Sequence, residues 1–596
     1  MRHALILLAS AFVQLPFASA TCKCLPSESC WPSDLEWESL NATIGGRLIH
    51  SVPPGSVCYP ERPNYNATAC DEVVAAWTTS KFHSSNPVSI DSPVWTNNSC
   101  NPIFPNGTSV TGDQHAGERG CSIGSYPVYV VNATQTSHVQ AALEFAQRWN
   151  VRVNIKNTGH NGSGRNIAFG SISIWTHHMK QIQYSTNFIP SGSPSRNDTG
   201  QMAFTLGAGV QDGELFDALP LHNVIAVGGT NKDVGVVGWA LGGGHGLMTG
   251  HYGNGADNII QATIVTPSGA ILVANAFQNQ DLFWAIRGGG GGTFGIVVDV
   301  TLKAYPMPAV VLCGLNFSAR NGTSAKAWWD LVAQVHGLLP DALDQGLSGY
   351  YTIEGPPRSS TLSYGGSLFM YNAEVAAAEA AMRPLEHLLS TANGTATSST
   401  GCFRFETFSE LISQLPSFEN VGTVNSISAS RLLTRDTLKN KQAFLARTLE
   451  RVGPQAVPPA DGLPNYSISG TLTISQKPVH NALNPAWRDT TVHLITSRLL
   501  DDSYPHEQIN SCVADMTYDK LSALWELDPG SGAYLNEANA FEPGWQWSFF
   551  GANYPRLHVI KRRYDPDGLL WCPQCVGSED WVQNDAGRLC QRYQPF

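Results

Sequence analysis

The chain has 596 residues and a net charge of −11, and only 14% of its residues are charged. This length exceeds what one hydrophobic core usually supports, so we expect at least two domains. The negative charge argues against a nucleic-acid partner, because no basic surface is implied. Glycine (56 residues) and proline (36 residues) are frequent, which indicates a loop-rich protein.

The N-terminus has the pattern of a secretory signal. Arg2 and His3 precede an apolar stretch, and Ala18-Ser-Ala20 offers small residues for cleavage. The stretch is too short to span a bilayer, and no later stretch reaches the needed length. We therefore expect residues 1–20 to be removed and the mature chain to be soluble, extracellular and without a membrane partner.

Cysteine usage agrees with export. Seven of the 13 cysteines lie between Cys22 and Cys121, and six lie between Cys313 and Cys590. Export favours disulfides, and the odd total leaves at least one thiol free or paired with another chain. Candidate N-glycosylation sites start at Asn41, Asn66, Asn97, Asn106, Asn132, Asn197, Asn316, Asn321, Asn393 and Asn465.

Residues 21–120 are interpreted as a cysteine-rich, glycosylated N-terminal extension, in which disulfides compensate for a small core. Near the other end, Cys572-Pro-Gln-Cys575 has the spacing of half a zinc site. No second cysteine pair with that spacing accompanies it. We therefore favour disulfides and predict no metal site.

Residues 121–308 form the next predicted domain, in which apolar alternation and helical spacing follow one another. The pattern predicts a helix that Thr136 caps, with Val139, Leu143 and Ala146 on one face. Further helices are predicted over 212–219 and 281–286. Strands are predicted over 126–131, 151–155, 172–175, 203–206, 262–266, 270–273 and 296–300.

Residues 309–530 are predicted to form a second α+β domain, with helices over 373–389 and 444–452. The aromatic-rich tail, residues 531–596, follows it. Three glycine clusters lie in the first domain, at 155–166, 235–246 and 287–295. None has the GxGxxG context of a Rossmann fold or the Gly-Lys-Ser/Thr of a P-loop, and each alone is compatible with an ordinary turn.

The three clusters in this order, with His160 inside the first, resemble the flavin domain of the vanillyl alcohol oxidase superfamily, also called the para-cresol methylhydroxylase (PCMH) type. The tail motifs Tyr534-Leu-Asn-Glu537, Phe550-Gly-Ala-Asn-Tyr554 and Ile560-Lys-Arg-Arg-Tyr-Asp-Pro566 resemble the berberine bridge enzyme-like branch, most of all fungal secreted alcohol-oxidase-like members. The resemblance implies an α+β fold with a two-part flavin domain, to which the tail returns after an α+β substrate domain.

The resemblance also implies FAD bonded covalently through His160 at the flavin 8α carbon; the alternative is a histidine held in a turn. A second, cysteinyl link is excluded because Asn231 stands at the position of that cysteine and no cysteine lies between 122 and 312. Val234 matches the residue that controls oxygen access and is similar to the oxidase form. The cofactor-binding residues implied are Asn157, Thr158, Gly159, His160, Asn161, Gly162, Gly164, Asn231, Val234, Gly235, Gly238, Gly243, Gly244, His245 and Asn553.

Glu537 aligns with a tyrosine that acts as base in related carbohydrate oxidases, and we interpret it as the catalytic base. Partial burial is expected to raise its pKa towards neutrality; the alternative is a surface glutamate in a turn. Tyr534 and Asn536 are expected to line the same pocket. His245 is a weaker candidate, expected to contact the flavin or to pack in a turn.

The sequence therefore predicts a secreted FAD-linked oxidase. It would transfer hydride from an alcohol or similar small organic substrate to flavin and then to dioxygen, giving hydrogen peroxide, and it would act as a monomer. One alternative is a tailoring flavoenzyme for secondary metabolites that performs oxidative cyclisation or desaturation. The other is a flavin-carrying surface glycoprotein with low turnover.

Overall fold

The computed structural model describes residues 22–194, 200–415, 420–472, 477–584 and 587–592. The predicted signal segment, residues 1–20, and the glycosylation motif at Asn197 lie outside these ranges. Within the described part of the chain, no helix combines the length and apolar character that crossing a bilayer requires.

The strands are short in the first half of the chain and longer in the second. In chain order they are β1 Leu48–His50, β2 Tyr129–Asn132, β3 Arg152–Lys156, β4 Ser171–Trp175, β5 Ile182–Phe188, β6 Gln201–Gly207, β7 Val224–Ala226, β8 Ile259–Val265, β9 Ile271–Asn275, β10 Ile296–Pro306, β11 Val310–Ala319, β12 Ser348–Glu354, β13 Ser363–Tyr371, β14 Ala396–Phe405, β15 Asn425–Thr434, β16 Ser467–Leu472, β17 Thr490–Leu500, β18 Trp581–Gln583 and β19 Leu589–Gln591.

The helices alternate with these strands. They are α1 Asp34–Thr43, α2 Ala67–Ala76, α3 Ser80–Ser85, α4 Ala116–Arg119, α5 Thr136–Arg148, α6 Asp212–Ala218, α7 Val236–Leu241, α8 Thr249–Tyr252, α9 Gly255–Asn258, α10 Gln280–Ile286, α11 Ala325–Asp344, α12 Val375–Thr391, α13 Phe408–Gln414, α14 Arg435–Asn440, α15 Gln442–Val452, α16 His506–Ala514, α17 Leu521–Leu527, α18 Trp545–Phe550 and α19 Tyr554–Tyr564.

Two sheets share one large core. The first has the order β1-β2-β4-β3, and the second has the order β5-β6-β10-β8-β9 with β7 paired to β10. Strands β2 and β3 both run parallel to β4. Because a tight turn cannot join parallel strands, the chain crosses from β2 to β3 through α5, which buries Val139, Leu143 and Ala146 as predicted.

The sequence predictions place the elements correctly but misjudge some of their ends. Helix α5 begins at Thr136, so Gln135 and not Thr136 occupies the N-cap position. The predicted strand over 296–300 continues to Pro306, because its second half pairs with β7. The predicted hairpin around residues 267–269 is present as the antiparallel pair β8 and β9.

A second core belongs to residues 311–527. It lies on an antiparallel sheet, of seven strands in the described residues, with the order β14-β11-β13-β12-β16-β17-β15. Helices α11, α12 and α15 cover this sheet with apolar faces. The fold is thus a mixture of helices and sheets of the predicted class.

The tail leaves the second core and returns to the first. Ala533, Leu535, Phe549, Leu557 and Leu570 are buried in the core that the first two sheets share. This return carries the Tyr534-to-Glu537 segment to the glycine clusters, the last of which ends at residue 295, far earlier in the sequence.

The extension is joined to the same body rather than separate from it. Strand β1 pairs with β2, and Trp37, Leu40 and Ile44 enter the first core. The disulfides are Cys22–Cys590, Cys24–Cys30, Cys58–Cys70, Cys100–Cys121, Cys313–Cys402 and Cys572–Cys575. Cys512 remains as a buried thiol. The disulfide favoured for Cys572 and Cys575 over half a zinc site is confirmed, since these two cysteines bond to each other.

Candidate active site

A cavity of about 310 Å³ opens where the three glycine clusters meet the tail. This volume lies in the range of small-molecule and cofactor sites. Twelve of the predicted site residues line the cavity: Asn157, Thr158, Gly159, His160, Asn161, Gly162, Val234, Gly235, Gly238, Tyr534, Asn536 and Glu537.

Several glycines leave room for a ligand that side chains would fill. Gly238 lies in α7 between buried neighbours but is itself exposed, because it faces the cavity. A Cβ atom added at Gly162 or Gly238 would meet nothing within 4 Å. These positions therefore form a surface that a flat or extended ligand can approach closely.

The same cavity contains polar atoms without protein partners. The buried side-chain atoms Nδ2 of Asn157, Nη2 of Arg165 and Oδ1 of Asn166 have no hydrogen-bond partner among the described residues. All three residues line the cavity. Buried polar atoms are normally satisfied, so these atoms indicate a polar ligand with both donors and acceptors.

The remaining predicted cofactor residues lie behind the wall of the cavity. Asn231 shapes a turn, accepting from the backbone N–H of Asp233 at 2.8 Å. Gly243 packs near Tyr534, and Gly244 packs on the ring of Trp239. None of these three residues is among the described residues that line the cavity.

Two further predicted residues support neighbouring segments. Gly164, with φ of +68°, lies against the ring of Trp95, which leaves no room for a side chain. Asn553 donates from Nδ2 to the carbonyl oxygen of Leu483 at 3.0 Å. Neither residue is among the described residues that line the cavity, and their contact with a cofactor stays a prediction.

Glu537 stands at the wall of the cavity with a histidine partner. Nε2 of His245 lies 2.9 Å from Oε2 of Glu537, and Nδ1 of His245 lies 3.0 Å from the hydroxyl oxygen of Tyr350. The Glu537 side chain keeps 37% of its exposure because it faces the cavity. His245 itself is 8% exposed in the turn that follows α7, in agreement with the expectation of a residue packed in a turn, and its ring lies behind the carboxylate.

The pKa of Glu537 is shifted in the opposite direction to the sequence expectation. Burial raises this pKa, but the nearby histidines, above all His245 through its charge and hydrogen bond, outweigh burial, so the net shift is downward. The prediction of a raised pKa is wrong, because the sequence did not reveal the histidines that the fold places beside the carboxylate. Glu537 is consequently ionised over a wide pH range.

His493 on β17 lies beside Glu537 and His245. Its ring is fully buried, and Nδ1 lies 3.6 Å from Oε2 of Glu537. Neither ring nitrogen has a hydrogen-bond partner among the described residues. Burial lowers the pKa of His493 to about 4, with the charge of Glu537 opposing this shift. His493 is therefore a neutral imidazole at the pH of most environments.

Tyr534 and Asn536 lie beside Glu537, as predicted. Nδ2 of Asn536 donates to the hydroxyl oxygen of Tyr534 at 2.8 Å. Burial raises the pKa of Tyr534 above its ordinary value, and the charge of Glu537 adds to the shift. The phenol thus stays protonated, which suits a hydrogen-bond donor and excludes a phenolate base.

Sequence reasoning missed Tyr350 and His493. Both lie in strands of the second domain, in stretches whose alternating pattern indicates ordinary strand residues. A polar side chain inside an apolar strand, such as His493 between Val492 and Leu494, is the one signal that could have marked it.

The amino-acid sequence matches two known families in the regions that form this site. Residues 127–275 match the FAD binding domain, and residues 533–577 match the family described as berberine and berberine like. The matched regions contain the first two glycine clusters and the Tyr534-to-Glu537 segment.

Relatives extend over almost the whole chain. An uncharacterized FAD-linked oxidoreductase of Arthroderma benhamiae is 33% identical over 587 residues, with 96% of each chain covered. A VAO-type flavoprotein oxidase of Thermothelomyces thermophilus is 34% identical over 587 residues, with the same coverage. The crystal structure of a VAO-type flavoprotein from Myceliophthora thermophila has a TM-score of 0.87 and 28% identity, and covers 96% of this chain and 100% of its own.

Proposed function

The chain belongs to the berberine bridge enzyme-like branch of the VAO-type FAD-linked oxidoreductases, and we propose that it is a secreted oxidase of alcohols or similar small organic substrates. In this proposal a hydride leaves the substrate carbon, and dioxygen receives the two electrons and becomes hydrogen peroxide. The observation that carries the proposal is the ionised Glu537 at the wall of the cavity, paired with His245.

The residues of the cavity fit FAD. Gly162 and Gly238 would let the backbone contact a flat ring system, and Asn157, Arg165 and Asn166 offer the unsatisfied donors and acceptors that its polar edges need. His160 would hold the cofactor by a single covalent bond. When bound, FAD supplies the capacity to accept a hydride and to reduce dioxygen.

Glu537 would take the proton of the substrate hydroxyl. Oxidation of an alcohol needs a base beside the hydroxyl while the hydride leaves, and a carboxylate that stays ionised is available for this at any moderate pH. His245 holds the carboxylate in place, and Tyr350 in turn holds His245. The proton accepted by Glu537 could pass along these two side chains when the product leaves.

Tyr534 would orient the substrate. The protonated Tyr534 can donate a hydrogen bond but cannot act as base, since its pKa is raised. His493 is fully buried behind Glu537 and would act on the substrate only through that carboxylate. Together with Glu537 these groups favour a substrate whose reacting carbon carries a hydroxyl group.

Dioxygen would reach the cofactor past Val234, which lines the cavity beside Gly235. Valine at this position leaves more space than a leucine or larger residue. The proposal therefore favours an oxidase over a dehydrogenase. Export is supported by the disulfides between residues 22 and 590, which persist in oxidising surroundings.

The test uses the purified full-length protein. We expect acid-precipitated protein to keep its yellow colour, and a peroxide-coupled screen of alcohols, sugars and aromatic compounds to reveal turnover. Free flavin in the supernatant would contradict the covalent bond. Flavin reduction without peroxide would contradict the oxidase assignment, and a cyclised or desaturated product would favour the tailoring alternative.

A further inference from the structure

In the described part of the chain three histidines are completely buried, and one of them differs from the other two. The ring nitrogens of His83 lie 2.6 and 2.7 Å from a hydroxyl oxygen and a backbone carbonyl oxygen. Those of His336 lie 2.6 and 2.8 Å from acceptors of the same two kinds. His493 has no hydrogen-bond partner at either ring nitrogen among the described residues. Buried polar groups are normally bonded, so the ring of His493 is suited to a group from outside the chain.

The ring of His493 faces two further side chains of the kind that bind metal ions. Its Nδ1 lies 3.6 Å from Oε2 of Glu537, and Nε2 of His245 lies 2.9 Å from the same oxygen. One ligand atom from each of the three residues lies within 4.8 Å of the other two. Ligand atoms at about 2.0–2.2 Å from a tetrahedral zinc ion are roughly 3–3.5 Å from one another. Small side-chain shifts therefore bring all three around one ion.

The surroundings hold these side chains as a metal site requires. Nδ1 of His245 lies 3.0 Å from the hydroxyl oxygen of Tyr350, so the opposite nitrogen faces the carboxylate. A hydrogen bond to the far nitrogen orients a metal-binding imidazole and fixes its tautomer. The rings of Trp487 and Tyr534 lie beside His493, with centroids 6.0 and 5.9 Å from that of the imidazole. These aromatic walls restrict the movement of the ligands.

We propose that His245, His493 and Glu537 form a binding site for a divalent transition-metal ion of the zinc class, and that the bound ion inhibits the enzyme. Two imidazoles and one carboxylate bind Zn²⁺ in known sites that keep a fourth position open. Imidazole ligands favour zinc and copper over magnesium and calcium. The open position faces the cavity, because Glu537 lines it. The site reverses the sequence prediction of no metal, which considered cysteine spacing.

The ion enters the site from the cavity. The Glu537 side chain keeps 37% of its exposure there, whereas both histidines are buried behind it. A bound ion occupies the carboxylate oxygen that would take the substrate proton, and it replaces the direct contact between Glu537 and His245. The inhibition rests on the proposed function, in which Glu537 is the base. The binding of the ion depends on the three side chains and not on the reaction.

Zinc binding is measured first and without substrate. The purified full-length protein is dialysed against a chelator and then equilibrated with ZnCl₂ at neutral pH, and bound zinc is determined by elemental analysis after equilibrium dialysis. We expect a single high-affinity ion per chain in the wild type. His493→Gln removes a ligand and should weaken binding by roughly 100-fold or more, since the loss of a supporting group alone costs about 10- to 100-fold.

Tyr350→Phe is a second variant that keeps all three ligands. It removes one hydroxyl group next to Nδ1 of His245, so we expect zinc binding to weaken by about 10- to 100-fold. This variant tests the site even if His493→Gln does not fold. MgCl₂ in place of ZnCl₂ should leave the site empty, because Mg²⁺ prefers oxygen ligands and keeps much of its water.

Two control variants match different features of the site. His336→Gln replaces an equally buried histidine whose ring nitrogens are both bonded. His558→Gln replaces a partly exposed histidine whose Nε2 lies 3.2 Å from Oδ2 of Asp580, and it reports zinc that binds at a surface pair. We expect both variants to bind zinc with the affinity of the wild type.

The second measurement tests inhibition. Flavin reduction by a substrate from the peroxide-coupled screen is followed by anaerobic stopped-flow absorbance at increasing ZnCl₂. At saturating zinc we expect the rate to fall by roughly 10²- to 10⁴-fold, which is the usual contribution of a general base. Half of the effect should occur at the concentration that half-fills the site, and a chelator should restore the rate. Tyr350→Phe should need about 10- to 100-fold more zinc for the same inhibition.

The outcomes separate the metal site from the proposed function. A wild type that binds no zinc would overturn the site, and so would His493→Gln or Tyr350→Phe with wild-type affinity. Loss of binding in His558→Gln would place the ion at the surface and would also overturn it. Zinc that binds as expected without slowing flavin reduction would overturn the inhibition and refute Glu537 as the base. Peroxide formation in a wild type without zinc binding would leave the proposed function standing and refute this inference alone.

Discussion

The two sides of the cavity are built in opposite ways. On the cofactor side the wall is largely glycine and backbone, and Gly162 and Gly238 contribute by having no side chain. On the substrate side, Glu537 lines the cavity, and His245 and His493 lie behind it, each from a distant part of the chain. Cofactor binding here therefore depends on space, whereas proton chemistry depends on side chains that only the fold brings together.

The largest expected effect concerns the substrate side. Glu537→Gln keeps the size of the side chain but removes the base, so we expect substrate-dependent flavin reduction to slow by roughly 10²- to 10⁴-fold. Anaerobic stopped-flow absorbance measures this rate directly. Covalent flavin content should not change, because the hydrogen-bond partner of Nδ1 of His160 is Asp91 and not Glu537.

Glu542→Gln is the matched control for this substitution. Glu542 lies five residues later and is buried, with its Oε1 3.4 Å from Nε1 of Trp525. We expect its replacement to leave the reduction rate close to that of the wild type. An unchanged rate in Glu537→Gln would refute the role of Glu537 as the base. It would also remove the proposed functional difference between the cofactor side and the substrate side of the cavity.

The second prediction concerns the cofactor side. A methyl group at Gly238 would point into the cavity, so Gly238→Ala should weaken reversible FAD binding roughly 5- to 100-fold, for a clash of about 1–3 kcal/mol. The flavin-free protein should become slightly more stable, because alanine favours the helix by about 0.5–1 kcal/mol. Titration calorimetry on a His160→Ala background and thermal unfolding measure the two effects.

Gly164→Ala provides the contrast within the same wall. Its φ of +68° makes alanine unfavourable there, and an added methyl carbon would lie only 2.7 Å from the ring of Trp95. We expect a lower unfolding temperature rather than a selective loss of FAD affinity. If Gly238→Ala and Gly164→Ala changed the FAD affinity and the unfolding temperature in the same way, the distinction between glycines that face the cavity and glycines that pack against side chains would be contradicted.

The smallest expected effect is a pH dependence at His493. Its folded-state pKa of about 4 lies below the ordinary 6.5, so the unfolded chain binds a proton that the folded chain refuses between these values. Stability is therefore lost as pH falls from about 6.5 towards 4. His493→Gln should remove about 1–2 kcal/mol of the difference in unfolding free energy between pH 7 and pH 5.

His336 supplies the comparison, since burial also lowers its pKa to about 4. Its Nε2 lies 2.6 Å from the hydroxyl oxygen of Tyr351, within the second core. His336→Gln should flatten the stability profile in the same way. Only His493→Gln should change the pH profile of flavin reduction, because His493 faces Glu537 and His245. The same pH profile of flavin reduction in both variants would refute this prediction.

Local sequence predicted the fold class and most elements. The alternation before the first glycine cluster predicted β3, and the spacing of Val139, Leu143 and Ala146 predicted α5. Element ends were less accurate, because pairing partners decide where a strand stops. Strand β10 extends six residues beyond the predicted end at Val300, along the partner β7.

The family resemblance also pointed to Glu537, Tyr534 and several of the glycines that line the cavity. It could not predict the lowered pKa of Glu537, which depends on His245, nearly 300 positions earlier in the chain. It gave no role to Tyr350, His493 or Asp91. Each of these residues acts through a contact with a residue that is distant in the chain. The sequence around each residue does not reveal such a contact.

By itself the sequence determined the parts of this protein that depend on local geometry. Glycines allow close approach of the backbone, and alternating apolar residues form strands, whatever lies elsewhere in the chain. Only the tertiary structure decided which side chains share a pocket, and therefore which carboxylate is ionised and which imidazole is neutral. Electrostatic interactions act through space, so Asp91 and His160, 69 positions apart, meet at 2.8 Å.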